Sequence, residues 1–175
     1  RDYRTYLGLA KEELEKVDLK IWAYCLMPNH MHAIVVPADK EGLSRFFANL
    51  HHRYAMKTNA RNEWTGHLWQ ERFFSVVMDE KHLFVGMRYV ELNPVRSGLC
   101  RRPQDWLWSS ARAHLDECID PLIDDIELVD DWREYLSLGD DEEDISKIRN
   151  QTRTGRPSGA DPFIDGIEAK SGRLV

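Results

Sequence analysis

Cysteine is scarce in this 175-residue chain: Cys25, Cys100 and Cys118 are odd in number, far apart, and form no Cys-x-x-Cys pair. That speaks against a thiolate zinc site and fits a reducing compartment. No apolar run approaches the roughly 20 residues of a membrane span, and no signal peptide is visible. A soluble, cytoplasmic protein with no membrane partner is therefore expected. Internal repeats and low-complexity tracts are also missing, which leaves one domain of ordinary size with room for an appended module. The first residue is Arg1 and the chain opens directly in a helical pattern, so the natural protein is expected to carry a further N-terminal segment.

Net positive charge is lacking overall but present locally. The formal charge of −6 conceals three unlike parts. Residues 1–114 carry 17 Lys and Arg against 13 Asp and Glu, with all seven histidines. Residues 115–146 carry 1 against 14, and residues 147–175 carry 6 against 3. A main domain (1–114), an acidic linker (115–146) and a basic tail (147–175) follow, and nucleic acid is not excluded as a partner of the first and third.

The organising stretch is Met27-Pro28-Asn29-His30-Met31-His32, continued by Ala33 to Val36. Pro28-Asn29 signals a tight turn between a strand at Lys20–Met27 and an antiparallel one at His30–Pro37. Strand alternation puts His30 and His32 on one side and Met31 on the other, toward a core. Helical spacing predicts helices from Tyr3 to Val17 and from Leu43 to about Ala55, the second with Arg45, His51, His52, Arg53 and Lys57 on its solvent face. Thr58–Gly66 reads as a loop, and Leu68–Met78, with Trp69, Phe73, Phe74, Val76 and Val77, as a third strand. Asp79 is the expected N-cap of a third helix that Pro94 should end or kink, and Gly98 suits a reversal. With one strand before Arg1, the order becomes βαββαβα, an α+β fold with a ferredoxin-like antiparallel sheet backed by helices. Trp106 and Trp108 are expected to close the core rather than to stack on bases. Trp132, Tyr135 and Leu136 suggest a short helix in the acidic part, and Thr154–Gly159 a flexible arm.

On the third helix Tyr89 and Asn93 share a face, which Arg96 would continue if the helix outlasted Pro94. A phenolic oxygen can attack phosphorus and retain it as phosphotyrosine if a cation and basic groups neutralise the developing charge. Two histidines, an amide oxygen and water could hold Mg²⁺ or Mn²⁺ with positions left for a phosphate oxygen.

The runs Ala23 to His32, Gly66 to Phe73 and Arg88 to Leu99 resemble the signature blocks of the single-tyrosine HUH transposases, in particular the REP-associated tyrosine transposases. Asp105 to Ala111 and Thr154 to Pro157 are similar to further blocks of that branch. The resemblance implies a ferredoxin-like fold, His30, His32 and Asn93 as metal ligands, and Tyr89 as nucleophile. It also implies cleavage of single-stranded DNA near hairpins of palindromic repeats, leaving a 5′-phosphotyrosine and a free 3′-hydroxyl. Arg96, Arg153 and Arg156 are expected to contact DNA, and the acidic part to compete for the same basic surface. A hairpin-binding module that no longer cuts, and a metal phosphodiesterase that uses water, are the alternatives.

Overall fold

A computed structural model describes residues 1–70, 72–115, 118–124 and 128–171. Glu71, within the expected third strand, and parts of the acidic segment and the tail end lie outside the described residues. The chain is α+β. Helix α1 (Asp2–Leu14) leads into strands β1 (Leu19–Leu26) and β2 (Met31–Pro37), followed by α2 (Gly42–Asn62) and α3 (Glu80–Arg96). A 3₁₀ turn at Pro103–Asp105 precedes α4 (Ala111–His114), α5 (Trp132–Ser137), α6 (Glu142–Thr154) and α7 (Asp161–Ser171). No helix of the described residues is long and apolar enough to cross a membrane.

The hairpin forms as its sequence predicts. β1 and β2 pair antiparallel from Leu19↔Pro37 to Leu26↔Met31, and the Met27 N–H donates to the His30 carbonyl at 2.8 Å across Pro28-Asn29. A register shift between Ile21 and Ala23 moves β1 by one residue. Leu19 and Ile21 therefore face the same core as Tyr24 and Leu26, against α1 and α2, while Ala23 and Cys25 face α3. On β2, Met31, Ala33 and Val35 join the first core, and Ile34 the second. The sheet is thus covered on both faces. The other edge of β1 is taken by Trp108–Ser110: Leu26 N–H donates to the Trp108 carbonyl (2.8 Å) and Ser110 N–H to that of Tyr24 (3.0 Å). The tryptophans close the core as expected, Trp106 Nε1 donating to the Leu26 carbonyl and Trp108 stacking on Tyr3 at 4.9 Å.

Several expectations are corrected. Leu68–Met78 is not a strand among its described residues, apart from an isolated bridge from Met78 to Ser158. Its aromatics pack on α2 instead: Trp69 Nε1 donates to the His51 carbonyl at 3.0 Å and the Phe73 ring lies 5.1 Å from Phe47. Strand-like composition reflects a half-buried surface, and packing against a helix satisfies it without a ladder. Thr58–Gly66 is not all loop, because α2 runs on to Asn62, with Thr58 buried and Arg61 paired to Asp2 of α1 at 2.6 Å. The solvent face of α2 keeps Arg45, His52 and Lys57 exposed as expected, but His51 and Arg53 are half-buried. His51 Nε2 lies 2.9 Å from the Tyr6 hydroxyl, its ring 4.3 Å from Trp69, and burial lowers its pKa to about 4. Arg53 is tied to Glu12 and Glu13, and Arg45 to Asp39. Finally, of the end or kink expected at Pro94, the end does not occur. The ring is fully buried, proline's missing N–H deprives the Val90 carbonyl of its usual i+4 donor, and the helix nonetheless continues to Arg96.

The stretch after α6 is docked rather than a free arm. Ser158 is buried, its N–H donating to the Val77 carbonyl (2.8 Å) and its carbonyl accepting from Asp79 N–H (2.9 Å). Asp79 caps α3 as expected, accepting from His82 N–H at 2.9 Å, and also accepts from Ala160 N–H at 2.8 Å, just before α7. Burial pushes the Asp79 carboxyl up, but the hydrogen bonds from His82 and Ala160 outweigh it and hold the pKa down to about 2. A carboxyl depressed in the folded state stabilises it above its unfolded value of 3.8 and loses that contribution as pH falls toward about 2. Asp79→Ala should cost about 1–2 kcal/mol at pH 7 and much less near pH 2.5, a difference that urea melts at the two pH values would read.

Candidate active site

The site lies where the start of β2 meets the middle of α3. His30 stands just before β2, exposed, and its Nδ1 lies 2.7 Å from the Asn29 side-chain oxygen. An amide oxygen can only accept, so Nδ1 carries the proton and the Nε2 lone pair is left for a ligand. His32, half-buried, has its ring 4.9 Å from that of His30 at 87°, both imidazoles on the α3 side of the sheet as the alternation predicts. Burial lowers the pKa of His32 to about 4, with the positive charges of His30 and Arg96 acting the same way, and partial burial also lowers that of His30. Both rings are uncharged at neutral pH.

Tyr89 is brought to them by α3, whose Met87, Tyr89 and Val90 pack on Ala23, Cys25, Met27 and Ile34. Its ring is 5.5 Å from that of His32, edge to face at 82°. The hairpin and the helix, sixty residues apart in sequence, thus deliver the three expected groups to one place. Asn93 lies one turn on and is buried, its Oδ1 accepting from Ser97 Oγ at 3.4 Å. Among the described residues no three His, Cys, Asp or Glu side chains converge as a cation site. What the site offers is two neutral imidazoles, one of fixed tautomer, beside an amide-bearing helix face. That donor set fits a divalent ion with imidazole and oxygen ligands.

Arg96 reaches back along α3, as helical side chains do. Its guanidinium lies 4.2 Å from the Tyr89 ring centroid and donates to the Tyr89 carbonyl at 2.7 Å. It is also paired with Asp140, from the link between α5 and α6. Arg88 Nε stands 3.6 Å from the other oxygen of the same carboxylate. Burial raises the Asp140 pKa although both guanidiniums pull it down. Nothing local distinguishes Asp140 among the acidic residues around it, so the sequence did not reveal this contact. Beneath α3, Glu91 is fully buried and accepts from Ser110 Oγ and His114 Nδ1, each at 2.5 Å, while His114 stacks on Trp132 at 3.8 Å. This second contact missed from the sequence fixes the back of the helix to α4 and α5. Arg153 and Arg156 are exposed, in the last turn of α6 and just after it. Among the described residues, no hydrogen bond, ion pair or ring contact joins either to His30, His32 or Tyr89.

The family model described as "Transposase IS200 like" matches residues 2–93, more than half of the chain, a range that includes His30, His32, Tyr89 and Asn93. The chain belongs to the IS200-like transposase family. A protein of Haemophilus influenzae, named as a candidate REP-associated tyrosine transposase, is 24% identical over an alignment of 111 positions that covers 57% of this chain and 63% of that relative. The chain thus aligns with somewhat less than two thirds of that relative's length. No solved structure matches significantly. In this member of the IS200-like transposase family, Arg96, Asp140, Arg153 and Arg156 all lie beyond the matched residues.

Proposed function

We propose that this IS200-like transposase is a metal-dependent single-stranded DNA endonuclease and strand transferase that cuts near hairpins of palindromic repeats through a phosphotyrosine at Tyr89. The observation that carries the reading is the position of the Tyr89 ring, 5.5 Å from His32 on one side and 4.2 Å from the Arg96 guanidinium on the other. A tyrosine used only for packing would not need a neutral imidazole pair and a cation around its ring. The β1–β2 hairpin is read here as the centre of a ferredoxin-like sheet.

His30 through Nε2, His32, and Asn93 would hold Mg²⁺ or Mn²⁺. When bound, such an ion draws charge from the phosphoryl oxygens and so eases attack by a neutral-pH phenol, otherwise a poor nucleophile. Tyr89 Oη forms the new bond to phosphorus, the bond from phosphorus to the 3′-side oxygen breaks, and the departing strand takes a proton to end in a 3′-hydroxyl. Arg96 faces the same ring and supplies a fixed positive charge for the phosphate. Strand transfer is the reverse attack, by a 3′-hydroxyl on the phosphotyrosine. Incubation with hairpin-bearing single-stranded DNA and Mn²⁺, followed by denaturing electrophoresis, should show a protein band retarded by the mass of the 5′-linked strand. Cleavage without such a band would make water the nucleophile, and binding without cleavage would make the chain a recognition module.

Arg153 and Arg156 are read as phosphate contacts to the hairpin. Arg156→Ala should weaken hairpin binding and reduce the slope of log K against log salt by about one unit or less. Unaltered affinity and slope in fluorescence anisotropy titrations would remove Arg156 from the DNA surface.

A further inference from the structure

We infer that Asp140 is a positioning residue for the proposed strand cleavage: it holds the Arg96 guanidinium against the Tyr89 ring, with donors left over for the scissile phosphate. The inference rests on the function proposed above.

Arg96 has three partners, the Tyr89 ring, the Tyr89 carbonyl and the Asp140 carboxylate. The first two lie on α3 itself. Among the described residues Asp140 is the hydrogen-bonding partner that comes from outside α3, and it fixes the far end of an otherwise flexible side chain. Two of the five guanidinium N–H groups are engaged by the carboxylate and the carbonyl, so three remain for an incoming phosphate oxygen. Arg88, Arg96 and Asp140 together keep one net positive charge, so the clamp orients the cation without cancelling the local field.

Asp140 is built into the fold rather than laid over the site. Its side chain is 6% exposed, less than Arg96 at 17% or Arg88 at 14%. Gly139 before it takes φ +68°, a left-handed conformation suited to glycine, and Asp141 after it caps α6, accepting from Glu143 N–H at 2.7 Å. The carboxylate is therefore aimed by a turn on one side and a helix start on the other. The arrangement is also incomplete in one respect: Arg88 Nε and Asp140 Oδ1, 3.6 Å apart, are both buried without a hydrogen-bond partner. Of the two arginines, Arg96 therefore has the hydrogen-bonded grip and Arg88 the looser ion pair.

The test uses the full chain and two measurements. The first needs no activity. Arginine side-chain ¹⁵N–¹H spectra, with Arg96 assigned from Arg96→Lys, should show an Arg96 signal displaced by the Tyr89 ring current, and Asp140→Asn should return it toward the position of a free arginine. The second is the single-turnover rate of adduct formation with saturating hairpin DNA and Mn²⁺. Asp140→Asn should slow it about 10- to 100-fold with hairpin affinity within about twofold of wild type, as expected when a reacting group's neighbour is misplaced rather than removed. Asp140→Glu should restore part of the rate, and it serves as the second variant if the asparagine form melts early. An Arg96 signal that does not move in Asp140→Asn overturns the inference. So does a rise in rate, which would mean that the carboxylate competes with DNA for Arg96. A loss of rate matched by an equal loss of affinity overturns it too, leaving Asp140 a structural group. If wild type forms no adduct at all, the proposed function fails, while the spectra still decide whether Asp140 places Arg96.

Discussion

Tyr89→Phe should abolish the protein–DNA adduct, lowering its rate of formation by at least about a thousandfold, while leaving hairpin binding and thermal stability near wild type. The substitution is clean because the surroundings of the ring are apolar or act on its π-face. Tyr89 packs with Cys25, Met27, Ile34 and Val90, sits edge to face with His32, and lies under Arg96. A phenyl ring keeps every one of those contacts. The Arg96 bond is to the Tyr89 backbone carbonyl, which the substitution does not touch. Stability should change by less than about 1 kcal/mol, the range of substitutions that open no cavity and bury no unpaired group. Denaturing electrophoresis for the adduct, anisotropy for the hairpin and a thermal melt for the fold separate the three properties. An adduct that persists in Tyr89→Phe would place the nucleophile on another residue.

The parts of this site legible in the sequence are those encoded by short-range rules. The turn at Pro28-Asn29 and the two-residue period of the strand put His30 and His32 on one face without any knowledge of the rest of the chain, and the rings lie 4.9 Å apart. Four-residue spacing put Tyr89 and Asn93 on one face of α3, and Asp79 marked where that helix starts. Local rules failed where distant partners decide. Pro94 lies inside α3 because its buried ring and the packing of the helix on the sheet outweigh one missing backbone donor. The aromatics of Leu68–Met78 found α2 rather than a neighbouring strand. His51 looked solvent-facing by helical period, yet Tyr6 and Trp69 cover it. Asp140 and the Glu91–His114 contact each join positions more than twenty residues apart, and no pattern along the chain announces them.

The same distinction sets the second large effect. In the His30→Ala, His32→Ala double variant, Mn²⁺ affinity should fall at least about a hundredfold and adduct formation should be lost with it, since removing even groups that only support metal ligands costs ten- to a hundredfold. His30 is exposed and its side-chain partner is the neighbouring Asn29, so truncating it should cost the fold little. His32 lies at the sheet rim against Tyr89, and its loss should be felt mainly as freedom of that ring. The pH dependence has a definite sign. Imidazole binds metal only when neutral; burial holds His32 to about 4, so it stays neutral well below the pH at which a free histidine would be half protonated, and burial also holds His30 below its ordinary value. From pH 7.5 downward, Mn²⁺ affinity should therefore persist to lower pH than at a pair of free histidines, the His32 contribution being lost only as pH nears about 4. Calorimetric titration of wild type across that range, with the double variant as reference, measures both the sites and their protons. Equal affinity in the two proteins would put the cation elsewhere, and an affinity that is lost wholly along the titration of a free histidine would mean that the imidazoles which bind it are solvated ones.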